Sequence, residues 1–232
     1  MTATTSGLRD LWPLYGLRLT TGDLVLRYPT EAELPAFVDV IERGIHPPDE
    51  MPFGIAWTDV PPARRNVDSY GWWMGSRARW SPENWTLTFG VWEGDTPLGF
   101  QDLRGPEFPV NRTVATGSWI GREFQGRGIG KQMRQAVLAL AFDHLGAQVA
   151  ETEAFIDNPA SNRVSLGVGY EPNGFGQLAP RGVTRPTQRF RLTLEGWRAR
   201  PRPAVVVEGL EGCWHMFGLD PAPPAPSESG PA

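Results

Sequence analysis

Hydrophobic residues recur along this chain with two different periods, and the alternation between them predicts a layered fold. Residues 24–28, Leu-Val-Leu-Arg-Tyr, read as a short strand. Thr30 follows at a helix-cap position, and Glu33, three residues on, completes a capping box. Leu34, Phe37, Val38 and Ile41 then keep helical spacing until Gly44 stops them. His46-Pro47-Pro48 forces an extended segment, because the residue before a proline avoids helical backbone. Residues 61–80 predict a second helix, opened by Pro61-Pro62 and rich in aromatics on one face. Residues 85–92 and 97–103 alternate on either side of Gly94-Asp95, a hairpin pattern. Residues 114–120 form the next strand. The strongest helix spans 130–145, where Met133, Ala136, Val137, Leu140, Ala141 and Leu145 share one face and Gly146 caps the end. A strand at 149–156, a helix at 159–166 and a core strand at 187–194 complete the series. Residues 204–207 are a candidate for pairing with a sheet edge.

The resulting order, β-α-α-β-β-β-α-β-α-β, is α/β (α+β) in class. It fits one domain over residues 1–219. Residues 220–232 are rich in Pro, Ala and Ser and predict a disordered tail. There is no internal repeat.

Composition narrows the chemistry. The single cysteine, Cys213, excludes an intramolecular disulfide. With only three scattered histidines (His46, His144, His215), no metal-ligand spacing exists. A net charge of −4 argues against a nucleic-acid partner and suits a cationic one. No apolar run approaches the roughly 20 residues of a membrane span. Met1–Asp10 has neither the basic nor the apolar region of a signal peptide, so the expected location is the cytoplasm.

The most informative stretch lies between the strand at 114–120 and the helix at 130–145. It carries glycines at 126, 128 and 130. A strand-to-helix junction leaves backbone N–H groups free, and the helix dipole adds roughly half a positive charge. Glycine lets a bulky anion come close, so the junction reads as a phosphate cradle. It is not a P-loop, because Gln125 and Gln132 stand where glycine and Ser/Thr are required. It also misses the dinucleotide fingerprint, because Gly126, Gly128 and Gly130 are spaced one residue short.

Gln125-Gly126-Arg127-Gly128-Ile129-Gly130 does match [QR]-x-x-G-x-[GA]. The flanks agree: Ile120 and Arg122 precede the loop, Asn158-Pro159-Ala160-Ser161 opens the next helix, and Gly169-Tyr170 closes it, with Gly174 beyond. The run 19–30 looks like a first strand of the same kind. On these residues the chain resembles the GNAT superfamily, the GCN5-related N-acyltransferases, and within it the RimJ/RimL-type branch. The resemblance covers roughly residues 17–195.

It implies a mixed, mostly antiparallel twisted sheet of about six or seven strands, flanked by about four helices. A V-shaped splay should separate the fourth and fifth strands, 114–120 and 149–156. Acyl-CoA would be the co-substrate, with no metal. Trp119, Ile120 and Arg122 would meet the pantetheine arm. The loop Gln125, Gly126, Arg127, Gly128, Ile129, Gly130 and Lys131 would hold the pyrophosphate, chiefly on the N–H groups of Gly126, Gly128, Gly130 and Lys131. Asn158 would bind the pantetheine, although it is also a good helix cap before Pro159. Ser161 would sit near the thioester sulfur as a proton donor.

The resemblance implies an amine acceptor, either a small molecule or a protein or peptide. A lysine amine costs roughly 4–5 kcal/mol to deprotonate at neutral pH, an α-amine only about 1, so a carboxylate base is expected. Glu107 is the first choice for it, with Asp102, Glu153 and Asp157 open. Trp57, Trp72, Trp73, Trp80, Trp85 and Trp92 either wall an acceptor pocket or pack the helices on the sheet. By the same resemblance the donor would be acetyl-CoA or succinyl-CoA. A succinyl group would need a cation, for which Arg77, Arg79 and Arg104 are candidates. A homodimer is a further option that the resemblance opens. The alternative to an N-acyltransferase is a protein of the same fold that binds acyl-CoA as a sensor or scaffold without turnover.

Overall fold

A hairpin at Gly22 starts the sheet. In the computed structural model, which describes residues 5–219, helix α1 (Thr5–Leu11) leads into strands β1 (Arg18–Thr21) and β2 (Leu24–Arg27). Helices α2 (Leu34–Arg43) and α3 (Pro62–Ala78) follow, then the long hairpin of β3 (Asn84–Glu93) and β4 (Thr96–Pro106). A short helix, α4 (Phe108–Asn111), turns the chain into β5 (Thr113–Ile120), and the loop leads to α5 (Ile129–Ala139). Then come β6 (Val149–Phe155), α6 (Pro159–Val168), β7 (Glu171–Leu178), β8 (Arg185–Thr193), α7 (Leu194–Arg198) and β9 (Val206–Glu208).

All nine strands join in one sheet in the order β7-β8-β6-β5-β4-β3-β2-β1-β9. Every pairing is antiparallel except β5 with β6. Nine strands exceed the six or seven expected. The additional ones have physical reasons to be hard to read. β1 is four residues long. β7 contains Pro172, Asn173, Gly174 and Gly176, residues that are poor in strands, and it is an edge strand paired only with β8. The expected edge segment does pair: Val206 and Val207 face Thr20 and Leu19 of β1.

Two apolar layers cover the sheet. On one face α5 contributes Met133, Ala136, Val137 and Leu140 to a core with Leu26, Leu87, Phe89, Val91, Leu103 and Val114. On the other, Leu34, Phe37 and Ile41 of α2 and Trp73 of α3 pack on Trp92 and Phe100. Period-2 alternation explains the division: on β3, Leu87, Phe89 and Val91 face α5, while Trp92 faces the opposite layer. The Thr30–Glu33 capping box forms as read, with Glu33 Oε2 accepting from both the N–H and the hydroxyl of Thr30, at 2.9 and 2.8 Å. It caps one short 3-10 turn, which runs into α2. The Pro/Ala/Ser-rich segment 220–232 lies outside the described residues. No helix among the described residues is long and apolar enough to cross a membrane.

Candidate active site

The parallel β5–β6 pairing is short. It holds Thr113, Val114 and Ala115 against Val149, Ala150 and Glu151, and then stops. Both strands run on, so they part. Just past the last pair, the Thr152 hydroxyl donates to Thr116 O at 3.1 Å, a side-chain bond where the ladder ends. From Gly117 to Ile120, β5 pairs only with β4. This is the V-shaped splay that the sequence resemblance implied, and it opens toward the glycine loop.

The backbone of the glycine loop is left open. Gly126 and Gly128 have φ of 78° and 81°, left-handed backbone that glycine adopts at little cost, and nothing stands within 4 Å of where their β-carbons would be. The N–H groups of 126–130 have no backbone acceptor among the described residues. Lys131 differs from expectation. Its N–H donates to Gly128 O at 3.1 Å, which leaves the exposed side chain as its means of contact. Gln125 pins the loop from below, its Nε2 donating to Ile45 O at 2.9 Å and to Ile120 O at 3.1 Å. Arg127 forms an exposed ion pair with Glu93 at 2.8 Å. Ile129 is buried in the α5 core and anchors the helix start. Arg122 is exposed, its N–H donating to Gly44 O.

Ile120 and Trp119 point to opposite faces, as neighbours on a strand must. Ile120 packs into the α5 core. Trp119 faces the α2–α3 layer, 5.5 Å from the Phe100 ring and 6.3 Å from Trp57. Across the parting, Asn158 caps α6 by accepting from the Ser161 N–H at 3.1 Å. Ser161 lies half-buried in the first turn of that helix.

The four candidate carboxylates separate clearly. Glu107 is exposed and lies beyond the far end of β4, where its N–H donates to Asn84 Oδ1. The loop end of β4 is at Gly99, opposite Ile120. Eight residues of strand at roughly 3.3 Å each place Glu107 about 26 Å from the loop. The structure does not bring it to the parting. The connection between β4 and β5 turns at the closed end of the splay, so a residue in it is near in sequence and remote in space. Glu153 accepts from the Thr187 hydroxyl and is 3.5 Å from Arg189. Asp157 is paired with Arg185 at 2.7 Å.

Asp102 is different. It sits mid-strand on β4, directly opposite Gly117 of β5 and Thr88 of β3. Its Oδ1 is sealed from solvent and has no hydrogen-bond partner. A β-carbon at Gly117 would lie 3.9 Å from its other oxygen, Oδ2. Burial pushes the carboxyl up to about 6, partly offset by the Arg104 charge and by Thr88. A carboxylate that takes and releases a proton near neutrality, at the edge of the parting, is suited to general base work.

The tryptophans divide between the two readings. Trp80 and Trp85 pack in the α5-side core, and Trp92 is buried against Phe37 with Arg27 over its ring at 3.8 Å. Trp72 is exposed. Trp57 and Trp73 line the layer next to Trp119 and Phe100. Trp57 belongs to the strap between α2 and α3, which crosses the parting to the β7–β8 turn. There Arg181 pairs with both Asp59 oxygens, at 2.7 and 2.8 Å, and donates to Pro48, Asp49 and Glu50 carbonyls. Arg185 donates to Met51 O at 2.7 Å. This latch was not visible from sequence, since its partners are about 120 residues apart. Of the three candidate cations, Arg77 is occupied by Tyr28, Pro29 O and Glu31. Arg79 folds back over Gly75 of its own helix. Arg104 alone stands by Gly117, its Nη2 3.5 Å from a β-carbon position there.

Known proteins agree with this geometry. The acetyltransferase (GNAT) domain family matches residues 23–171. A ribosomal-protein-serine acetyltransferase of Escherichia coli (strain K12) is 33% identical over 87 residues, which are 35% of this chain and 45% of that protein. The match thus spans under half the length of that relative. Among solved structures, Mycobacterium smegmatis RimJ in complex with CoA-disulfide superposes with a TM-score of 0.66 at 16% identity, over 87% of this chain and 94% of that one. An acetyltransferase structure from T. thermophilus gives 0.62 at 20% identity, over 78% and 92%. At these identities the structures speak for the fold. The family match covers most of the chain, and the chain belongs to the acetyltransferase (GNAT) domain family.

Proposed function

We propose that this protein transfers an acetyl group from acetyl-CoA to a primary amine, with Asp102 as the base. The observation that carries the reading is the placement of Asp102. A half-buried carboxyl, poised near neutrality, faces the bare backbone of Gly117 at the edge of a parting that opens onto an anion-binding loop.

The pyrophosphate rests on the free N–H groups of the loop and the start of α5. The arm runs into the parting along Trp119 and Ile120, within reach of Asn158. Fixing donor and acceptor together replaces several kcal/mol of association entropy. The amine approaches from the α2–α3 side, under the strap and along Phe53, Trp57 and Trp119, whose rings form a continuous series. Asp102 removes its proton, and the Ser161 hydroxyl, in the first turn of α6, offers a hydrogen bond to the departing coenzyme A sulfur. A base of this strength suits an α-amine, whose deprotonation at neutral pH costs only about 1 kcal/mol. The names of the relatives, a ribosomal-protein-serine acetyltransferase and RimJ, point to a protein amine as acceptor.

Arg104 supports a second donor. Its guanidinium stands beside Gly117 with no ion pair among the described residues, where the distal carboxylate of a succinyl group would find it. The test is to incubate the protein with acetyl-CoA or succinyl-CoA and a panel of peptide α-amines, lysine peptides and polyamines, following free thiol. Amine-dependent release is expected, fastest with peptide α-amines. Acyl-CoA binding with no release across the panel would leave the scaffold role as the better reading.

A further inference from the structure

Arg134 is a cation in the wrong place for a stable fold. It lies in α5 and is only 3% exposed. Its Nη1 donates to Thr152 Oγ1 at 3.4 Å and its Nη2 to Ser118 Oγ at 3.3 Å, both long, and Nε has no partner. The Tyr170 phenol stands beside it, 3.2 Å from Thr116 Oγ1. No carboxylate among the described residues forms an ion pair with it. Glu151 acts on Tyr170 only through space. A buried charge held by neutral hydroxyls keeps its desolvation penalty, with nothing of opposite sign to offset it. The neighbours Met133, Val137 and Leu138 show that an apolar residue would suit the core.

The position of the guanidinium suggests what offsets it. Thr152 on β6 directly follows Glu151, and Ser118 on β5 lies three residues beyond Ala115, the last residues that the two strands pair. Arg134 therefore fills the root of the parting, the end that a pantetheine arm entering from the glycine loop reaches with its sulfur. Resting on the reading of this site as an acyl-CoA site, we propose that Arg134 is the charge that stabilises the departing coenzyme A thiolate.

The step balances without a further reactant. The amine nitrogen forms a bond to the thioester carbon and gives its proton to Asp102. The carbon–sulfur bond breaks and its electron pair passes to sulfur. Arg134 exchanges no proton. It supplies positive charge where negative charge develops, in surroundings that exclude water, where such an interaction counts most. Product coenzyme A should then sit in the site partly as its thiolate.

That thiolate can be observed directly. Coenzyme A bound to the protein is titrated by its ultraviolet thiolate band, with bound desulfo-coenzyme A as the blank. The free thiol titrates near 8.5. The titratable group beside Arg134 is Tyr170, held above the ordinary tyrosine range by burial, and Glu151 acts in turn on Tyr170. The wild-type protein should hold coenzyme A at a thiolate-to-thiol ratio at least about tenfold above that of the free compound, a downward shift of about one unit. Arg134→Gln should abolish the excess and lower kcat while binding desulfo-coenzyme A as before, and Arg134→Lys should keep part of it. Coenzyme A bound to wild-type protein with an unshifted titration would overturn the proposal without any variant, and would leave the acetyltransferase reading standing. Failure to bind coenzyme A at all would remove both.

Discussion

Asp102 and Gly117 face each other across the β4–β5 ladder, and with no side chain at 117 only bare backbone stands opposite Asp102 Oδ2. A β-carbon at 117 would make ordinary contact, 3.9 Å from that oxygen and 3.5 Å from Arg104 Nη2, so alanine fits and a branched residue fills the gap. Gly117→Val is therefore expected to fold and to bind coenzyme A within about threefold of wild type, while kcat/KM for the amine falls at least about tenfold. Steady-state kinetics beside calorimetric binding checks both. A variant as active as wild type would show that nothing passes over residue 117.

Asp102 also makes a prediction about stability. Its carboxyl titrates near 6 in the fold and near 3.8 in an unfolded chain. Below the lower value both states are protonated, and the group does not disfavour folding. As pH rises through the folded value, the native state must either keep a proton that the unfolded chain has released or bury a charge, so stability is lost. The loss approaches about 3 kcal/mol at most near pH 8. Asp102→Asn should consequently be more stable than wild type at pH 8, and the difference should close near pH 4. Urea unfolding at the two pH values measures it. Equal stability at both would mean that the carboxyl is not perturbed.

The glycine loop predicts a binding defect with no folding defect. Gly128 is the left-handed cap of α5, at φ 81°. Alanine there costs about 1–2 kcal/mol of local strain and puts a methyl group toward the anion. Gly128→Ala should bind coenzyme A at least about tenfold more weakly. It should bind the dephosphorylated pantetheine fragment almost as well as wild type. Equal loss for both ligands would move the pyrophosphate elsewhere.

The strap is tied down mainly by Arg181, which reaches Asp59 and three carbonyls. Because the pair is exposed, its removal should leave global stability nearly unchanged. Arg181→Ala should instead speed hydrogen exchange in residues 46–59 and raise KM for the amine several-fold, leaving that for acetyl-CoA unchanged. Unchanged exchange would show that the prolines of the strap hold it without the latch.

The division between what could and could not be read in advance follows chain distance. The loop, the α5 stripe, the Thr30 capping box and the Asn158 cap are local patterns, and the sequence shows them within a few residues. The parting also followed, because the family resemblance carries it. What failed to show was tertiary. Glu107 looked suitable because it precedes β5 in sequence, yet the strand carries it to the wrong end. Asp102 looked like any solvated carboxylate until the sheet buried one of its oxygens and set the other opposite a glycine. Arg134 stands among the apolar residues of α5 with nothing local to single it out, and only the folded structure shows it as a buried cation. β7 was hidden by its own glycines and proline, residues that edge strands tolerate and central strands do not.

The most direct test is amine-dependent thiol release from acetyl-CoA by wild-type protein and by Asp102→Asn, measured across pH with a peptide α-amine. The wild-type kcat/KM should rise through an apparent pKa near 6, and the variant should lose about 100-fold or more with coenzyme A binding intact. No release by the wild type, or a variant with the wild-type profile, would contradict the account.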